Sequence, residues 1–245
     1  MRTDRTGSGA VAVLASAATV LLATLAAAPT AGQEPGVLDQ GTYRITVAGR
    51  AVGTEAFGVR REGRDIRAVG RVRLDTAVSV LSSMEVWLQT DAGFRPNLFR
   101  LRPRTEGTGS YTAVREADRI RLRTTTEEGE RYREFLAPEG LALFDPRLAH
   151  HWYLVLRARS GALAEGTVEV PAILPARGER IRMQVRRAGD EEVTAAGRRV
   201  TATRHEVTGG LTATVWTGQD GRVLRLSLPG PELVSEWISQ QEEGS

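Results

Sequence analysis

Three short β-strands are predicted by residues 41–74, which read GTYRITVAGRAVGTEAFGVRREGRDIRAVGRVRL. Tyr43 and Ile45 alternate with polar neighbours, as side chains do on a strand with one buried face. The AGR step at 48–50 and the EGRD step at 62–65 combine glycine with polar residues and predict turns. Because turns this close together join neighbouring antiparallel strands, the segment predicts the start of a β-meander.

The same alternation continues along the chain and predicts nine further strands, at 84–90, 109–115, 119–126, 130–137, 167–174, 180–187, 198–207, 211–217 and 222–228. The Gln-Asp-Gly step at 219–221 is the sharpest hairpin signal, because Asp-Gly supplies the positive φ angles of a tight turn. Residues 76–83, TAVSVLSS, fit a short helix or a buried strand. About twelve strands are too many for one flat sheet. We therefore predict a mainly β fold, in which a curved antiparallel sheet forms an open barrel or clam.

One short helix is predicted to interrupt the strands at residues 146–158. Asp145 fits its N-cap, Pro146 fits the first helical position, and Gly161 can end it. On such a helix Trp152 shares an apolar face with leucine and valine residues one turn away on either side. We predict that this face packs into the concave side of the sheet.

The N-terminal residues predict export from the cytoplasm. Two arginines precede the apolar run AVAVLASAATVLLATLAAA at 10–28, and small residues follow it. We predict a signal peptide at 1–32, cleaved between Ala28 and Gln33, and a single β-rich domain at 33–245 in the periplasm or secreted. An uncleaved N-terminal anchor remains the alternative, whereas a lipoprotein is excluded because the chain has no cysteine.

The composition excludes several kinds of chemistry. All 33 basic residues are arginine, and the chain has neither lysine nor cysteine. P-loop lysines, Schiff-base lysines, cysteine nucleophiles and cysteine-ligated metals are therefore excluded. The net charge is only +3, and both signs alternate along the predicted strands. A nucleic-acid-binding protein concentrates positive charge instead, so we expect no nucleic-acid partner.

No motif for catalysis or metal binding stands out. The chain has three histidines, His150, His151 and His205, and their spacing offers no i, i+4 chelate. No Gly-x-Ser-x-Gly elbow is present. We therefore predict no catalytic residue, no metal site and no cofactor, and imidazoles that are partly buried or on the surface.

Three tryptophans are the candidate ligand-binding residues. Trp87 shares a strand face with Glu85 and Gln89, and Trp216 lies on the more polar side of its strand. Such a side chain either covers a rim or faces a ligand, although packing against a neighbouring loop is an alternative. Trp152, on the predicted helix, completes the set.

Three segments together resemble a group of exported bacterial proteins of unknown function. They are the hairpin at 41–57, the FDP and HHWY steps within 144–153, and the VWTGQDGRVLRL element at 215–226. In that group the hairpin starts a curved antiparallel sheet and the late element closes it. The resemblance implies an open β-barrel or clam similar to periplasmic carriers of lipoproteins and lipids, and it implies no catalytic residue.

These observations predict a non-enzymatic binding protein of the cell envelope that holds an apolar or amphipathic, lipid-like ligand between sheet and helix. The mature domain is not expected to span a membrane. A hydrolase with an unrecognised site and a structural envelope component remain alternatives. An apolar groove would favour the binding protein, clustered histidines and carboxylates the hydrolase, and a flat hydrophobic patch the structural component.

Overall fold

A computed structural model describes residues 36–75, 83–104 and 109–239. The signal peptide predicted at 1–32 lies outside these residues. Residues 76–82, most of the segment that fitted either a short helix or a buried strand, also lie outside them. Within these three ranges, no helix combines the length and the apolarity that crossing a membrane requires.

Fifteen strands and two α-helices make up the described chain. The strands are β1 (Gly36–Val47), β2 (Arg50–Glu62), β3 (Asp65–Leu74), β4 (Ser83–Asp91), β5 (Pro96–Pro103), β6 (Ser110–Glu116), β7 (Arg119–Thr126), β8 (Gly129–Leu136), β9 (Ala142–Leu143), β10 (Val168–Leu174), β11 (Glu179–Ala195), β12 (Arg198–Gly209), β13 (Ala213–Thr217), β14 (Val223–Leu228) and β15 (Leu233–Ser239). The helices are α1 (Ala149–Arg157) and α2 (Ser160–Glu165), and one turn of 3-10 helix lies at Pro175–Arg177.

The strands form one continuous sheet, and the described chain enters it at the centre. β1 pairs with β2 on one side and with β15 on the other. The first wing, β2–β8, extends outward from β2 in chain order, and the second wing, β10–β15, extends outward from β15 in reverse order. All neighbouring strands are antiparallel except β9 and β10, which pair in parallel at the edge of the second wing. The sheet is curved and unclosed, and its edge strands are β8 and β9.

The chain crosses from the outer edge of the first wing to the outer edge of the second along the concave side of the sheet. This crossing segment, residues 137–167, contains β9 and both helices. α1 contacts β2 and β3 on one side and β14 on the other. The helix is therefore buried on all sides, and Arg157 is its one residue that is not buried. One continuous hydrophobic core therefore joins both wings to α1.

The predicted fold class is confirmed. The protein is mainly β, with one curved and open sheet that is antiparallel except at β9 and β10, and α1 is the predicted short helix on its concave side. All twelve predicted strands are present; β7 has its predicted ends, and the ends of the others are shifted. Three strands were missed: β5 begins and ends on proline, which weakens its strand signal, β9 has two residues, and β15 follows a Pro-Gly-Pro segment.

The predicted helix boundaries are wrong. α1 begins at Ala149, after an extended Leu148, and the Asp145 carboxylate accepts a hydrogen bond from the Arg147 amide rather than from the helix. The helix ends at Arg157, and Gly161 lies inside α2. The predicted face is also too narrow, because eight of the nine residues in α1 are buried.

A long hairpin covers part of the second wing on the side away from the main core. β11 has 17 residues and a bulge between Arg187 and Gly189, and its far half pairs with β12 beyond the reach of β13. The hairpin turn is fixed by a hydrogen bond from the Ala196 amide to the Trp237 carbonyl, 2.9 Å long. Its residues build a second hydrophobic cluster with β14, formed by Val193, Ala195, Ala202 and Leu224. This cluster explains why apolar residues occur on both sides of the second wing.

Gly70 on β3 allows α1 to approach the sheet closely. A β-carbon at Gly70 would come within 3.0 Å of His150 Nε2 and closer still to His150 Cε1. We expect Gly70→Ala to lower the free energy of unfolding by about 1–3 kcal/mol, as overpacking of a core does. Urea denaturation followed by far-UV circular dichroism measures this change.

Gly58→Ala on the neighbouring strand β2 is the matched control. A β-carbon at Gly58 meets no atom within 4 Å, so this variant should be neutral, or more stable by up to about 1 kcal/mol. Equal destabilisation by the two substitutions would contradict the close packing of α1 on β3.

Candidate functional site

A cavity of about 840 Å³ opens at one end of the sheet between the two wings. Residues of β4–β6 line it from the first wing, and the 3-10 helix and the loops at 209–212 and 229–231 line it from the second. Residues 144–147 of the crossing segment complete the wall. Its volume lies within the range of roughly 300–1,000 Å³ that small-molecule sites occupy. The cavity is therefore the candidate binding site.

The cavity has an apolar floor and a more polar rim. The floor consists of five buried side chains, those of Met84, Leu101, Phe144, Leu174 and Leu228. The rim includes exposed residues, among them Arg147, Arg177 and Thr212. Such a profile suits a ligand that has an apolar body and a polar end.

Asp145 and Arg147 form a fixed ion pair on the cavity wall. The Arg147 guanidinium donates from Nε to Asp145 Oδ1 at 3.0 Å and from Nη2 to Oδ2 at 2.6 Å. The Asp145 side chain is only 1% exposed, whereas that of Arg147 is 46% exposed. Hydrogen bonding to Asp145 and the charge of Asp145 raise the pKa of Arg147, and burial opposes this rise. The pair therefore holds a permanently charged guanidinium in one orientation.

Glu55 of β2 anchors the first turn of α1 from 94 residues away in the chain. Its Oε2 accepts a hydrogen bond from the Ala149 amide at 3.0 Å, and its Oε1 accepts one from the His150 amide at 3.1 Å. The same Oε1 lies 2.6 Å from His150 Nδ1. A carboxylate at this position satisfies amides that have no partner within the helix and complements the positive end of the helix dipole. Glu55 thus provides the acceptor that Asp145 was predicted to supply.

The two adjacent histidines are part of the core. Both side chains are fully buried, and the ring centroids lie 4.3 Å apart. The Asp145 amide donates to His151 Nδ1 at 3.1 Å. Burial lowers the pKa of His151 well below its ordinary value, and the charge of His150 lowers it further. His151 is therefore neutral at pH 7, and the expectation of partly buried or surface imidazoles is wrong for this pair.

This Glu55–His150–His151 cluster brings histidines and a carboxylate together, the pattern that would favour a hydrolase. All three side chains are fully buried, and none belongs to the residues that line the cavity. A substrate in the cavity would therefore not touch them. The contacts of the cluster are those of an anchor that fixes α1 on β2.

The structure does not bring the three candidate tryptophans together. Trp152 is fully buried in α1, where Nε1 donates to the Pro146 carbonyl at 2.9 Å and the ring meets Phe144 edge-on. Trp87 and Trp216 are half-buried at strand positions that alternate with core residues, so they face away from the main core. None of the three lines the cavity, and their role in ligand binding stays a prediction.

The two outward-facing tryptophans have local partners. The Arg102 guanidinium lies 5.9 Å from the Trp87 ring centroid. Trp216 donates from Nε1 to Glu191 Oε1 at 2.7 Å and packs against the second hydrophobic cluster. Both tryptophans therefore pack against neighbouring side chains, as the alternative interpretation predicts.

His205 lies on β12 of the second wing, whereas the other two histidines lie on α1. It is 8% exposed, and its Nε2 lies 3.0 Å from the Thr217 hydroxyl. Burial and the charge of Arg187 lower its pKa, and Asp190 opposes this effect. Across the described ranges, no three histidine, aspartate or glutamate side chains are grouped so that they could hold a metal ion.

Sequence reasoning missed the residues that define the site. Tyr111 and Arg147 carry no motif, and only the crossing of the chain between the wings brings them to one cavity. Glu55 can be recognised from the sequence, because it alternates in phase with Phe57 and Val59 and therefore occupies a core position of β2. A charged residue at a core position of a strand indicates a buried partner.

Fold and cavity together define the class of protein: a curved, open antiparallel β-sheet whose wings enclose a helix and a ligand-sized cavity. The chain belongs to the DUF6134 family, a domain of unknown function, whose match covers residues 43–236. This range extends from β1 to β15 and contains every residue that lines the cavity. No curated protein and no solved structure gives a significant match.

Proposed function

We propose that this protein is an exported, non-enzymatic binding protein of the cell envelope that holds an apolar or amphipathic ligand in the cavity. The observation that carries the proposal is the cavity of about 840 Å³, with five buried apolar side chains at its floor. Burial of apolar ligand surface against such a floor contributes roughly 25 cal/mol per Å². The export part of the proposal rests on the arginines and apolar run at the N-terminus.

Two further observations support this proposal. The sequence resembles exported proteins similar to carriers of lipoproteins and lipids, which is an argument from analogy because one fold serves many functions. In addition, Arg147 and Arg177 lie at the rim, the buried Asp145 is already paired with Arg147, and the floor is apolar. A ligand with an apolar body could therefore enter the floor without removing a charged protein group from water.

A bulky side chain at the mouth should obstruct the site. Thr212 is an exposed residue that lines the cavity, so Thr212→Trp places an indole at its entrance. We expect the affinity for the uncharged fluorescent probe N-phenyl-1-naphthylamine to fall about tenfold or more, which corresponds to the loss of about 1.4 kcal/mol of contacts. Fluorescence titration of the purified protein measures the dissociation constant.

Thr194→Trp is the matched control, because Thr194 is equally exposed but lies on the far half of β11, outside the cavity lining. It should bind the probe as the unmodified protein does. Absence of probe binding to the unmodified protein, or equal binding by both variants, would refute the cavity as the ligand site. Mass spectrometry of lipids co-extracted with the protein provides an independent measurement.

A further inference from the structure

Positively charged groups outnumber negatively charged groups in the lining of the cavity. Arg147 and Arg177 contribute two positive charges, and Asp145 contributes one negative charge. Asp145 is buried beneath Arg147, whereas both guanidinium groups reach solvent at the rim. The rim therefore presents positive charge beside an apolar floor.

Arg147 has unused hydrogen-bonding capacity. Asp145 engages Nε and Nη2, and Nη1 has no hydrogen-bond partner among the described residues. Because the fork to Asp145 fixes the plane of the guanidinium, the remaining edge has a defined direction. An arginine that already donates to one carboxylate can donate to a second one from its other edge.

Tyr111 adds a second donor on the same cavity wall. Its hydroxyl has no hydrogen-bond partner among the described residues, and its ring packs against the main core. Tyr111 lines the cavity from β6, and Arg147 lines it from the crossing segment. Both side chains therefore offer donors to a ligand in the same cavity.

We propose that Arg147 and Tyr111 receive the carboxylate of a ligand with a single acyl chain, and that the chain occupies the apolar floor. This inference rests on the proposed function and names the chemical class of its ligand. Arg177 adds a second positive charge at the rim. Its ion pair with Glu179, 3.0 Å long, is exposed and therefore weak, so this charge is not held by a strong partner. A carboxylate held in this way has its charge matched and its chain removed from water.

Two probes with the same chain and fluorophore test the inference. They are 11-(dansylamino)undecanoic acid and its methyl ester, which differ in the charge of one end. We expect the unmodified protein to bind the acid roughly tenfold more tightly than the ester, because hydrogen bonds to a charged group are stronger than those to a neutral one. Arg147→Gln and Tyr111→Phe should each weaken binding of the acid and leave binding of the ester unchanged.

Arg147→Gln leaves Asp145 buried without its partner, so this variant could lose stability. The double variant Asp145→Asn, Arg147→Gln removes both charges together and keeps hydrogen-bonding groups at both positions. Circular dichroism checks its fold before the titration. Arg131→Gln is the matched control, because Arg131 is a highly exposed arginine outside the cavity lining and should bind both probes normally.

The outcomes separate this inference from the proposed function. If neither probe binds to the unmodified protein, both are wrong. If both probes bind equally well, and if the Arg147 and Tyr111 variants bind the acid as the unmodified protein does, the cavity holds apolar ligands but the carboxylate assignment is wrong.

Discussion

Replacing Glu55 with alanine is expected to lower the free energy of unfolding by about 3–5 kcal/mol, because it removes the carboxylate from a fully buried hydrogen-bonded cluster. The substitution removes the acceptor for the amides of Ala149 and His150 and leaves the His150 imidazole buried without its carboxylate. Nothing else in the described chain accepts from these two amides. Urea denaturation at pH 7 measures the loss, and far-UV circular dichroism measures whether α1 remains helical.

Two variants make this prediction specific. Glu55→Gln keeps one oxygen acceptor and should cost less than the alanine variant. Glu134→Ala removes an exposed glutamate of β8 whose ion pairs with Arg119 and Arg121 are open to solvent, so it should change the free energy of unfolding by about 1 kcal/mol or less. If Glu55→Ala costs no more than Glu134→Ala, Glu55 does not anchor the helix.

Trp152→Ala should lower the free energy of unfolding by about 3–5 kcal/mol, as truncation of a large buried aromatic residue does. Trp152 is 0% exposed, its ring packs edge-on against Phe144 with centroids 5.0 Å apart, and its indole donates to the Pro146 carbonyl. The substitution therefore removes apolar contacts and leaves the carbonyl without its donor. A denaturant melt followed by circular dichroism measures the effect.

Trp87→Ala is the control for Trp152, because Trp87 is a half-buried tryptophan on the outer side of β4. We expect it to cost about 1 kcal/mol, the centre of the distribution for single substitutions. Trp152→Phe should cost less than Trp152→Ala, since it keeps a ring against Phe144. A loss below about 1 kcal/mol for Trp152→Ala would mean that α1 is peripheral to the core.

Local pattern predicted the strands because each has a period of two and a turn at its end. β2 and β3, for example, are recognisable from alternation and from the turn at Gly63 alone. The 219–221 turn is also present, with Gly221 at a φ of 81°. Strands without such signals were missed: β5 lies between prolines, and β9 has two residues.

The start of α1 shows where local reasoning fails. Asp145 and Pro146 form a plausible N-cap in sequence, yet the helix begins at Ala149 because Glu55 of β2 supplies the acceptor there. A cap supplied by a residue 94 positions away leaves no signal in the residues near the helix. The same is true of the cavity, since Tyr111 and Arg147 come from a strand of the first wing and from the crossing segment.

The class of fold could be predicted from the sequence, because alternation, turn residues and hydrophobic spacing act between near neighbours in the chain. The sequence also excluded lysine and cysteine chemistry, because those residues are absent. Which residues share a site depends instead on tertiary contacts. The curvature of the sheet and the crossing of the chain over its concave side place β2 against α1 and the two wings around one cavity. Those contacts depend on how the whole sheet closes over its core, and no stretch of a dozen residues contains that information.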